Sequence, residues 1–524
     1  MGRENKAKPL SFSTTLRNPE RIADFIKCII PFEGMILTSD VINAVVRSVI
    51  RNKIYYTMYE MRNANYKRIY GDDSLIFTEG ELDDIINNSP QKHKEAGFDY
   101  GWDSRFDTWY KMIKEFGFIY YNMDEPIVIT TTGHMLVDAF METPCNGLKI
   151  QKIFLNAMAK YQTNNPLRRN VSKNAPLPFL LNVIKYFHDD PDENDAGLAR
   201  HELPILICWQ ENDPFEAYKF IKEIRNDYGF RCSDEYIYDK CLYLLGSENR
   251  KLYKMSKICK EAVDEYIRKM RMTGVVSLRG NGRFLDINTF ENDIVDYIIS
   301  NYSTFDCYTD EKLYVEYMSD MDSKILQTNE KIKLENIQDI KKKTLYKYAE
   351  EMDKEIVFKE LKNVCKGNES KHESIRYLDG PVRLEFLTSI ALVQNFKGLD
   401  VNPNYSVDDE GLPTFTASGG MSDIEAYDVD YDSYYEVTLM KGRANQVNNE
   451  IIPIGRHLRE IKETRRENSF SVFVAPIIHE DTREAADWQK VKYNIDILTY
   501  DIDEFIHNIT KSKKASDLLL MRFY

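Results

Sequence analysis

The sequence predicts an α+β protein of several domains: a mostly helical N-terminal half, a helical linker, and a C-terminal α/β domain around a mixed sheet. Three observations favour this class. A pattern of helix, β-hairpin and helix occurs twice before residue 305, a charged stretch without Pro or Gly follows, and helices then alternate with apolar strands. The 524 residues exceed what one hydrophobic core usually supports, and length alone suggests about three domains.

The first helix–hairpin–helix pattern lies within residues 1–150. Ser104 is a candidate N-cap, and Phe106, Trp109 and Ile113 recur at helical spacing until Gly117 ends the helix. The β-rich runs IYY and IVIT flank a polar turn, and TTGHMLVDAF follows as a second helix. This order is typical of a winged-helix module, a relative of the helix-turn-helix that binds DNA.

The pattern returns within residues 151–305. A helix from residue 258 ends at Gly274, a hairpin turns at Asn281-Gly282, and FENDIVDYIIS forms the next helix. We therefore expect two winged-helix-like modules that together make a DNA-recognition region over residues 1–305.

Basic side chains on such helices and hairpins can contact guanine edges or phosphates, although Lys and Arg on any helix usually just face water. The candidates are Arg105, Lys111 and Lys114 on the first helix, Arg268, Lys269 and Arg271 at the end of the second, and Arg279 and Arg283 on its wing.

The rest of the chain is predicted as a helical linker over residues 306–370 and a separate domain over residues 371–524. VRLEFLTSIALVQNF reads as a helix, MSDIEAYD and YYEVTLM as strands, residues 449–466 as a basic helix, and SFSVFVAPII as a strongly apolar strand. A last strand and helix lie in IDILTYDIDEFIHNI, which completes a small α/β unit.

Charge is unevenly distributed along the chain. The net charge of −14 argues against a nucleic-acid partner, but such binding depends on local basic surface. Residues 400–436 hold ten carboxylates and no Lys or Arg, whereas residues 441–466 hold seven Lys or Arg and three carboxylates. The eight dispersed cysteines and the polar N-terminus, without an apolar signal core, predict reduced thiols and a cytoplasmic protein; no apolar run is long enough for a membrane span.

Two carboxylates are candidate ligands of a divalent metal. Asp423 ends or bends one predicted strand, and Glu436 lies thirteen residues later in the next. If the two strands form a hairpin or splay apart at their ends, both carboxylates reach one cation, and Mg²⁺ needs few protein ligands. Phosphodiester hydrolysis needs such a cation, a positioned water and neutralisation of the developing charge.

This arrangement resembles the PD-(D/E)xK nuclease core, although the Pro is absent and Thr438 stands at the place of the Lys. Over nearly its full length the chain also resembles the AlwI-type Type IIS restriction endonucleases, which include nicking relatives. The resemblance rests on TTLRNPERI with Phe32–Gly34, on RLEFLT at 383–388, and on the dense block from Ser422 to His457. In that family Glu-Val-Thr replaces E-x-K, so Thr438 fits.

The resemblance implies an enzyme that binds a short asymmetric double-stranded DNA site and cuts at a fixed distance outside it, using Mg²⁺, for which Mn²⁺ can substitute. Asp423, Glu436 and Glu450 would hold the metal, and Glu385 would be an outer ligand through water. Lys441 and His457 would touch the scissile phosphate or stabilise the transition state, with Lys441 the nearest group to polarise water in place of the missing Lys.

Other interpretations remain open for these residues. Asp428, Asp430 and Asp432 are expected to form a solvated turn, with a calcium loop as the alternative. Glu450 is equally a helix N-terminal acid, and His457 a surface or capping residue. For Glu385, an ordinary exposed helix position is the stronger expectation.

The expected partners follow from the same interpretation. They are double-stranded DNA, a second copy of the chain or a second nuclease subunit for double-strand cleavage, and a cognate DNA methyltransferase as functional companion, with no membrane. The rival hypothesis is a non-enzymatic winged-helix regulator whose C-terminal domain binds a partner or ligand. Such a regulator has no reason to gather Asp423, Glu436 and Glu450 at one point.

Overall fold

The computed structural model of the chain describes residues 7–72, 75–142, 146–168, 170–193, 197–327, 334–417 and 420–523. Contacts divide the chain into two compact units. The first unit comprises Met1–Met61, Thr78–Met141 and Leu148–Glu330, and the second comprises Arg62–Phe77, Glu142–Gly147 and Lys331–Tyr524. No helix in these described stretches is long and apolar enough to cross a membrane.

Helices dominate the chain before residue 330. They are α1 (Pro19–Ile29), α2 (Ser39–Arg51), α3 (Met58–Arg62), α4 (Ala64–Gly71), α5 (Glu79–Asn87), α6 (Trp102–Glu115), α7 (Thr131–Met141), α8 (Gly147–Lys160), α9 (Pro176–His188), α10 (Leu203–Cys208), α11 (Pro214–Tyr228), α12 (Asp234–Leu244), α13 (Ala262–Arg271), α14 (Asn292–Tyr302), α15 (Glu311–Ser319) and α16 (Ser323–Gln327). The strands of this part are β1 (Ile119–Tyr120), β2 (Val128–Ile129), β3 (Leu198–Ala199), β4 (Val276–Arg279) and β5 (Phe284–Ile287).

After residue 330 helices and strands alternate. The helices are α17 (Leu334–Glu351), α18 (Lys354–Cys365), α19 (Gly380–Asn395), α20 (Arg443–Asn445), α21 (Ile452–Thr464), α22 (Glu480–Tyr493) and α23 (Ile502–Lys511). The strands are β6 (Asp400–Pro403), β7 (Ser406–Val407), β8 (Pro413–Phe415), β9 (Ile424–Tyr427), β10 (Asp432–Val437), β11 (Ser469–Ala475) and β12 (Ile497–Asp501).

Both helix–hairpin–helix patterns are present in the first unit. The first is α6, the pair β1–β2 and α7, and the second is α13, the pair β4–β5 and α14. The hairpin turn has φ +57° at Asn281 and +87° at Gly282, as the Asn-Gly signal predicted. The expected N-cap is wrong, because α6 begins at Trp102 and the Ser104 hydroxyl donates to the Asp99 carbonyl at 2.7 Å. A short strand that the sequence did not suggest, β3, pairs with β5.

The second unit contains the mixed sheet that the sequence predicted. Its strand order is β12-β11-β10-β9-β6; β10, β11 and β12 run parallel, and β9 is antiparallel to both neighbours. Every residue of β11 is buried, in agreement with its strongly apolar sequence, which only Ser469 and Ser471 interrupt. Three elements were not anticipated: β6, the small β7–β8 pair, and α22.

Side chains of the central strands alternate between two helical layers. Tyr434 and Phe473 pack in one core cluster with Leu458 of α21. Tyr435, the next residue of β10, instead faces Phe505 of α23, with ring centroids 6.5 Å apart. Glu436 therefore shares the α21 side of β10 with Tyr434, since alternate residues of a strand point the same way.

The predicted linker is helical, as expected, but α17 and α18 pack against α19 within the second unit. The basic helix begins earlier than predicted, at Arg443, and continues through a π-helical segment (Gln446–Ile451) into α21. The described cysteines are free thiols, and Cys145 lies outside the described residues.

Candidate active site

Strand register brings Asp423 and Glu436 together. In the β9–β10 hairpin Tyr435 pairs with Ile424, so Asp423 and Glu436 occupy the next opposing positions. The Val437 N–H donates to Asp423 Oδ2 at 2.8 Å, which fixes that carboxylate across the hairpin. The condition that the sequence left open, a hairpin between the two strands, is met.

Two further acids join this pair from different elements. Glu450 lies in the π-helical segment that leads into α21, the helix covering the Glu436 side of β10. Glu385 lies in α19 and accepts a hydrogen bond from the Ala417 N–H at 3.2 Å. It is only 2% exposed, so the expectation of an ordinary exposed helix position for Glu385 is wrong.

Burial disfavours the charged form of all four acids, and the charge of Asp423 adds to this effect at Glu436, Glu450 and Glu385. Burial raises the pKa of Asp423 to about 7, and the Val437 N–H only partly offsets it. Burial, with the charge of Asp423, raises the pKa of Glu450 to about 8. The pKa of Glu436 is raised well above its ordinary value by burial, then by Asp423 and Glu450.

Glu385 belongs to the same electrostatic group. Burial and then the charge of Asp423 raise its pKa well above the ordinary value, and Glu436 adds to the effect. Asp423, Glu436 and Glu450 each keep part of their surface exposed, whereas Glu385 is buried behind them. We call these four residues the carboxylate cluster.

The carboxylate cluster fits a hard divalent cation in its chemistry. Carboxylate oxygens are the ligands such ions prefer, and a bound cation would relieve the repulsion that helps to raise the pKa values of Glu436, Glu450 and Glu385. In the described parts of the chain, however, no group of three or more His, Cys, Asp or Glu side chains is placed so that it could hold a metal ion as it stands. Side-chain adjustment would therefore accompany binding.

The backbone groups of Thr438 and Lys441 bond to neighbouring segments of the second unit. The Thr438 N–H donates to the Val474 carbonyl at 3.0 Å, which extends the ladder beyond β10. The Lys441 carbonyl accepts from His479 Nε2 at 2.8 Å, and the Lys441 charge acts on the Cys365 thiol.

The remaining residues of this region divide between surface and interior. His457 is partly exposed on α21. Asp428 and Asp430 lie in the turn between β9 and β10, as expected. Asp432 does not: it is 7% exposed, belongs to β10 and forms an ion pair with Arg466 at 2.5 Å, which corrects the expectation of a solvated turn residue.

The basic candidates on α6 contact other side chains of the first unit. The Arg105 guanidinium lies 4.8 Å from the Tyr55 ring centroid and donates to His93 Nε2 at 2.7 Å. Lys111 is partly exposed, 4.0 Å from a Glu95 carboxylate oxygen. Lys114 was expected on the polar side of the helix, but it is 4% exposed and pairs with Glu311 at 2.7 Å.

The second basic group shows the same division. Lys269 is fully buried and donates to the Leu16 and Arg17 carbonyls, and Arg271 is 9% exposed. Arg279 binds Asp286 at 2.6 Å, and Arg268 is partly exposed. Arg283 is exposed beside the hairpin turn.

Sequence reasoning missed two residues that contact or influence the carboxylate cluster. The Ser422 side chain and the Asp423 backbone partly oppose the rise in the pKa of Glu436. Lys341, in α17, is buried and its charge acts on Glu385. No spacing signal could have identified Lys341, because it lies in a run of three lysines inside a charged helix.

Comparison with known families matches residues 114–344 and 326–507 to the AlwI restriction endonuclease family. No curated protein sequence matches the chain. Among solved structures, the small subunit of the heterodimeric restriction endonuclease R.BspD6I is 21% identical over 30% of this chain and 77% of that chain, with a TM-score of 0.25. Restriction endonuclease FokI is 12% identical over 97% and 96% of the chains (TM-score 0.25), and FokI bound to DNA is 10% identical over 97% and 95% (TM-score 0.22). TM-scores this low support no conclusion about this chain.

Proposed function

Because the chain belongs to the AlwI restriction endonuclease family and is therefore a type II site-specific deoxyribonuclease, we propose that it is a Type IIS enzyme that cuts DNA with a divalent metal held by the carboxylate cluster. It would bind a short asymmetric site and hydrolyse phosphodiester bonds at a fixed distance outside that site. Membership of this family rules out the rival interpretation as a non-enzymatic regulator.

One observation carries the proposal: the β9–β10 hairpin sets Asp423 opposite Glu436, and the charge of Asp423 also acts on Glu450 and Glu385 from two other segments of the chain. Gathering four acids raises the free energy of the metal-free protein, so a structural purpose is a poor explanation. A site for a cation is a good one, since restriction endonucleases generally use divalent metal ions.

The chain's own residues have separable roles in this mechanism. Asp423 and Glu436 would hold the cation, and Glu450 would be a third ligand. Glu385 would be an outer ligand through water. The Val437 N–H orients Asp423. When bound, Mg²⁺ (or Mn²⁺) lowers the pKa of a water and neutralises charge on the phosphate.

Lys441 and His457 are proposed to contact the scissile phosphate when DNA is bound. Thr438 stands at the place where related nucleases carry a lysine. Because threonine is neutral, it supplies no positive charge there. Substitution of Lys441 or His457 can test these assignments, because neither side chain is buried.

Recognition is proposed to reside in residues 1–305, through two winged-helix-like modules. Residues 306–370 would then connect them to a nuclease domain at 371–524. Lys111, Arg268 and Arg283 are the better placed candidates for DNA contact because they reach the surface, whereas Lys114 and Lys269 are buried. Arg105, Arg271 and Arg279 would need to exchange their present partners for DNA.

Cutting both strands is proposed to need a second copy of the chain or a second nuclease subunit, since one active site cuts one strand. A cognate DNA methyltransferase would protect the host's own sites. Both partners follow from the Type IIS interpretation.

The test is cleavage of plasmid DNA by purified variants with Mg²⁺. We expect Asp423→Ala and Glu436→Ala to abolish cleavage while keeping sequence-specific binding in a gel shift. Asp430→Ala is the matched control, because Asp430 is an exposed acid in the same hairpin. Normal cleavage by either cluster variant would refute the site, and loss of specific binding would refute the division of roles.

A further inference from the structure

One arginine of the first unit lacks an acidic partner. Arg105, in α6, is partly buried, and among the residues that the structure describes it forms no ion pair with a carboxylate. Charged side chains are seldom withdrawn from water unless they are paired, because an uncompensated charge loses hydration free energy. Other arginines of this unit that are largely withdrawn from water do have such partners: Arg168 with Glu115 at 2.7 Å, Arg225 with Glu202 at 2.8 Å and Arg279 with Asp286 at 2.6 Å.

The hydrogen-bond partner of Arg105 is a neutral imidazole. The guanidinium donates from Nη1 to His93 Nε2 at 2.7 Å. Because a guanidinium only donates, this imidazole nitrogen must carry a lone pair, and His93 is therefore uncharged. Burial and then the charge of Arg105 lower the pKa of His93, in agreement with a neutral ring. The Arg105 Nε–H has no partner among the described residues, so the guanidinium keeps donors that no acceptor uses.

Two aromatic rings hold the guanidinium in place. Its Cζ lies 4.8 Å from the Tyr55 ring centroid and 5.5 Å from that of Trp109. Trp109 is fully buried and packs against Phe25 of α1, with ring centroids 5.7 Å apart. The Trp109 Nε1–H is a further buried donor without a partner among the described residues. Because cation–π contacts tie Arg105 to rings of the core, its donors are oriented before any ligand binds.

The segment that carries His93 is basic. Lys92 and Lys94 flank His93 and are exposed. The acid that follows them, Glu95, lies 4.0 Å from the Lys111 ammonium, so a lysine partly balances its charge. An anion that approaches Arg105 would therefore meet additional positive charge, which favours its binding.

We propose that Arg105, held against Tyr55 and Trp109 with His93 at its edge, binds one phosphate of the DNA backbone. This inference rests on the proposed function. A phosphodiester oxygen that replaces the neutral His93 acceptor gains charge-assisted hydrogen bonds, whereas an arginine that is already paired with a carboxylate has little to gain. A base edge offers only neutral acceptors and leaves the charge of Arg105 uncompensated, so the assignment is to the backbone, which positions the protein and carries no sequence information.

The test is binding of the full chain to a duplex of random sequence, measured in EDTA over a range of KCl concentrations. Arg105→Gln removes the charge, and Arg105→Lys keeps the charge but removes the planar guanidinium. Arg47→Gln is the matched control, because Arg47 is also a partly buried arginine of the first unit but pairs with Glu79 at 3.1 Å and with Asp83.

Arg105→Gln should weaken binding roughly tenfold at low salt, as the loss of a charge-assisted hydrogen bond commonly does. Its slope of log affinity against log salt should become less steep by about 0.9, the value for one phosphate contact. Arg105→Lys should keep the wild-type slope with a lower affinity, because the charge remains and the stacked guanidinium is lost. Arg47→Gln should keep the slope, because Glu79 and Asp83 already balance the charge that it removes.

Melting temperatures separate a binding arginine from a structural one. Arg105→Gln should melt close to the wild type, because it removes a charge that has no acidic partner. Arg168→Gln should melt at a lower temperature, because it leaves the buried Glu115 carboxylate without its cation. A fall in Arg105→Gln as large as in Arg168→Gln, or failure of Arg105→Gln to fold, would make Arg105 a structural residue and overturn the inference.

Two further results would overturn the inference. An unchanged salt slope in Arg105→Gln together with altered plasmid cutting sites would assign Arg105 to base reading. An unchanged slope together with a wild-type melting temperature that inorganic phosphate raises, compared with chloride at equal ionic strength, would assign the site to a free anion.

The wild-type protein separates this inference from the proposed function. If the wild type neither binds duplex DNA nor cuts plasmid with Mg²⁺, the proposed function fails. If it does both and Arg105→Gln keeps the full salt slope, only the phosphate contact of Arg105 is wrong.

Discussion

Replacing Asp423 by Asn should stabilise the metal-free protein at high pH. The folded protein raises the pKa of Asp423 from 3.8 to about 7. Well below pH 3.8 the acid is protonated in both the folded and the unfolded protein, so it does not lower the free energy of unfolding. Between pH 4 and 7 the folded state keeps a proton that the unfolded state has released, so the free energy of unfolding falls as pH rises.

The size of the effect follows from the pKa difference. A difference of about 3 corresponds to roughly 4 kcal/mol above pH 7. Asp423 keeps part of its surface in water and shares its repulsion with Glu436, so we expect roughly half of this, about 2 kcal/mol. For a unit of roughly 200 residues that is a rise of about 4–8 °C in melting temperature.

Asn is the suitable replacement because its side-chain oxygen can still accept the Val437 N–H. Melting curves in EDTA at pH 4 and pH 8 give the measurement, with Asp430→Asn as control because Asp430 is exposed. The gain should vanish at pH 4, and Mg²⁺ should stabilise the wild type more than Asp423→Asn. A lower melting temperature at pH 8, or an equal gain at both pH values, would refute the reasoning.

Four other outcomes are expected. A fragment of residues 1–330 should fold and shift its DNA site without cutting, with affinity that falls steeply with salt; binding without sequence preference in the gel shift would contradict this. Arg283→Ala should weaken DNA binding without changing the melting temperature, whereas Lys269→Met should lower the melting temperature because it removes a buried ammonium with two carbonyl partners. Gly133→Ala should cost about 2 kcal/mol in urea unfolding, because the added Cβ would lie 2.1 Å from the Phe118 carbonyl oxygen. Finally, nicked plasmid should precede linear product, whose formation should depend on enzyme excess. Linear product that forms without a nicked intermediate and at a rate independent of enzyme excess would exclude the model in which one protomer cuts one strand.

Local patterns explain what the sequence predicted well. The run SFSVFVA is apolar apart from Ser469 and Ser471, and it forms the fully buried β11. The two strands carrying Asp423 and Glu436 are close in sequence, so their pairing needed only a short turn. The candidate metal site could be inferred for the same reason, because Asp423 and Glu436 lie on these neighbouring strands.

Features that depend on distant parts of the chain could not be predicted. Glu385 is flanked by apolar residues on a helix that is buried on nearly all sides. The sequence of this helix shows no polar face from which the burial of Glu385 could have been predicted. Lys269 and Lys114 lie at helical positions where lysine is normally solvated, and only the tertiary structure supplies their carbonyl and carboxylate partners. Lys341 is buried in the second unit, where α17 packs on α19, a contact that no local pattern encodes.

The packing of α17 against α19 bears on how this enzyme could be recombined with others. A chimera that grafts the cutting activity onto a foreign recognition domain would naturally be joined at residue 371, where the composition changes. That junction would discard α17 and, with it, Lys341 and the surface that α19 buries against it. A junction near residue 331, where the second unit resumes, keeps α17 together with α19, the helix that packs on the sheet.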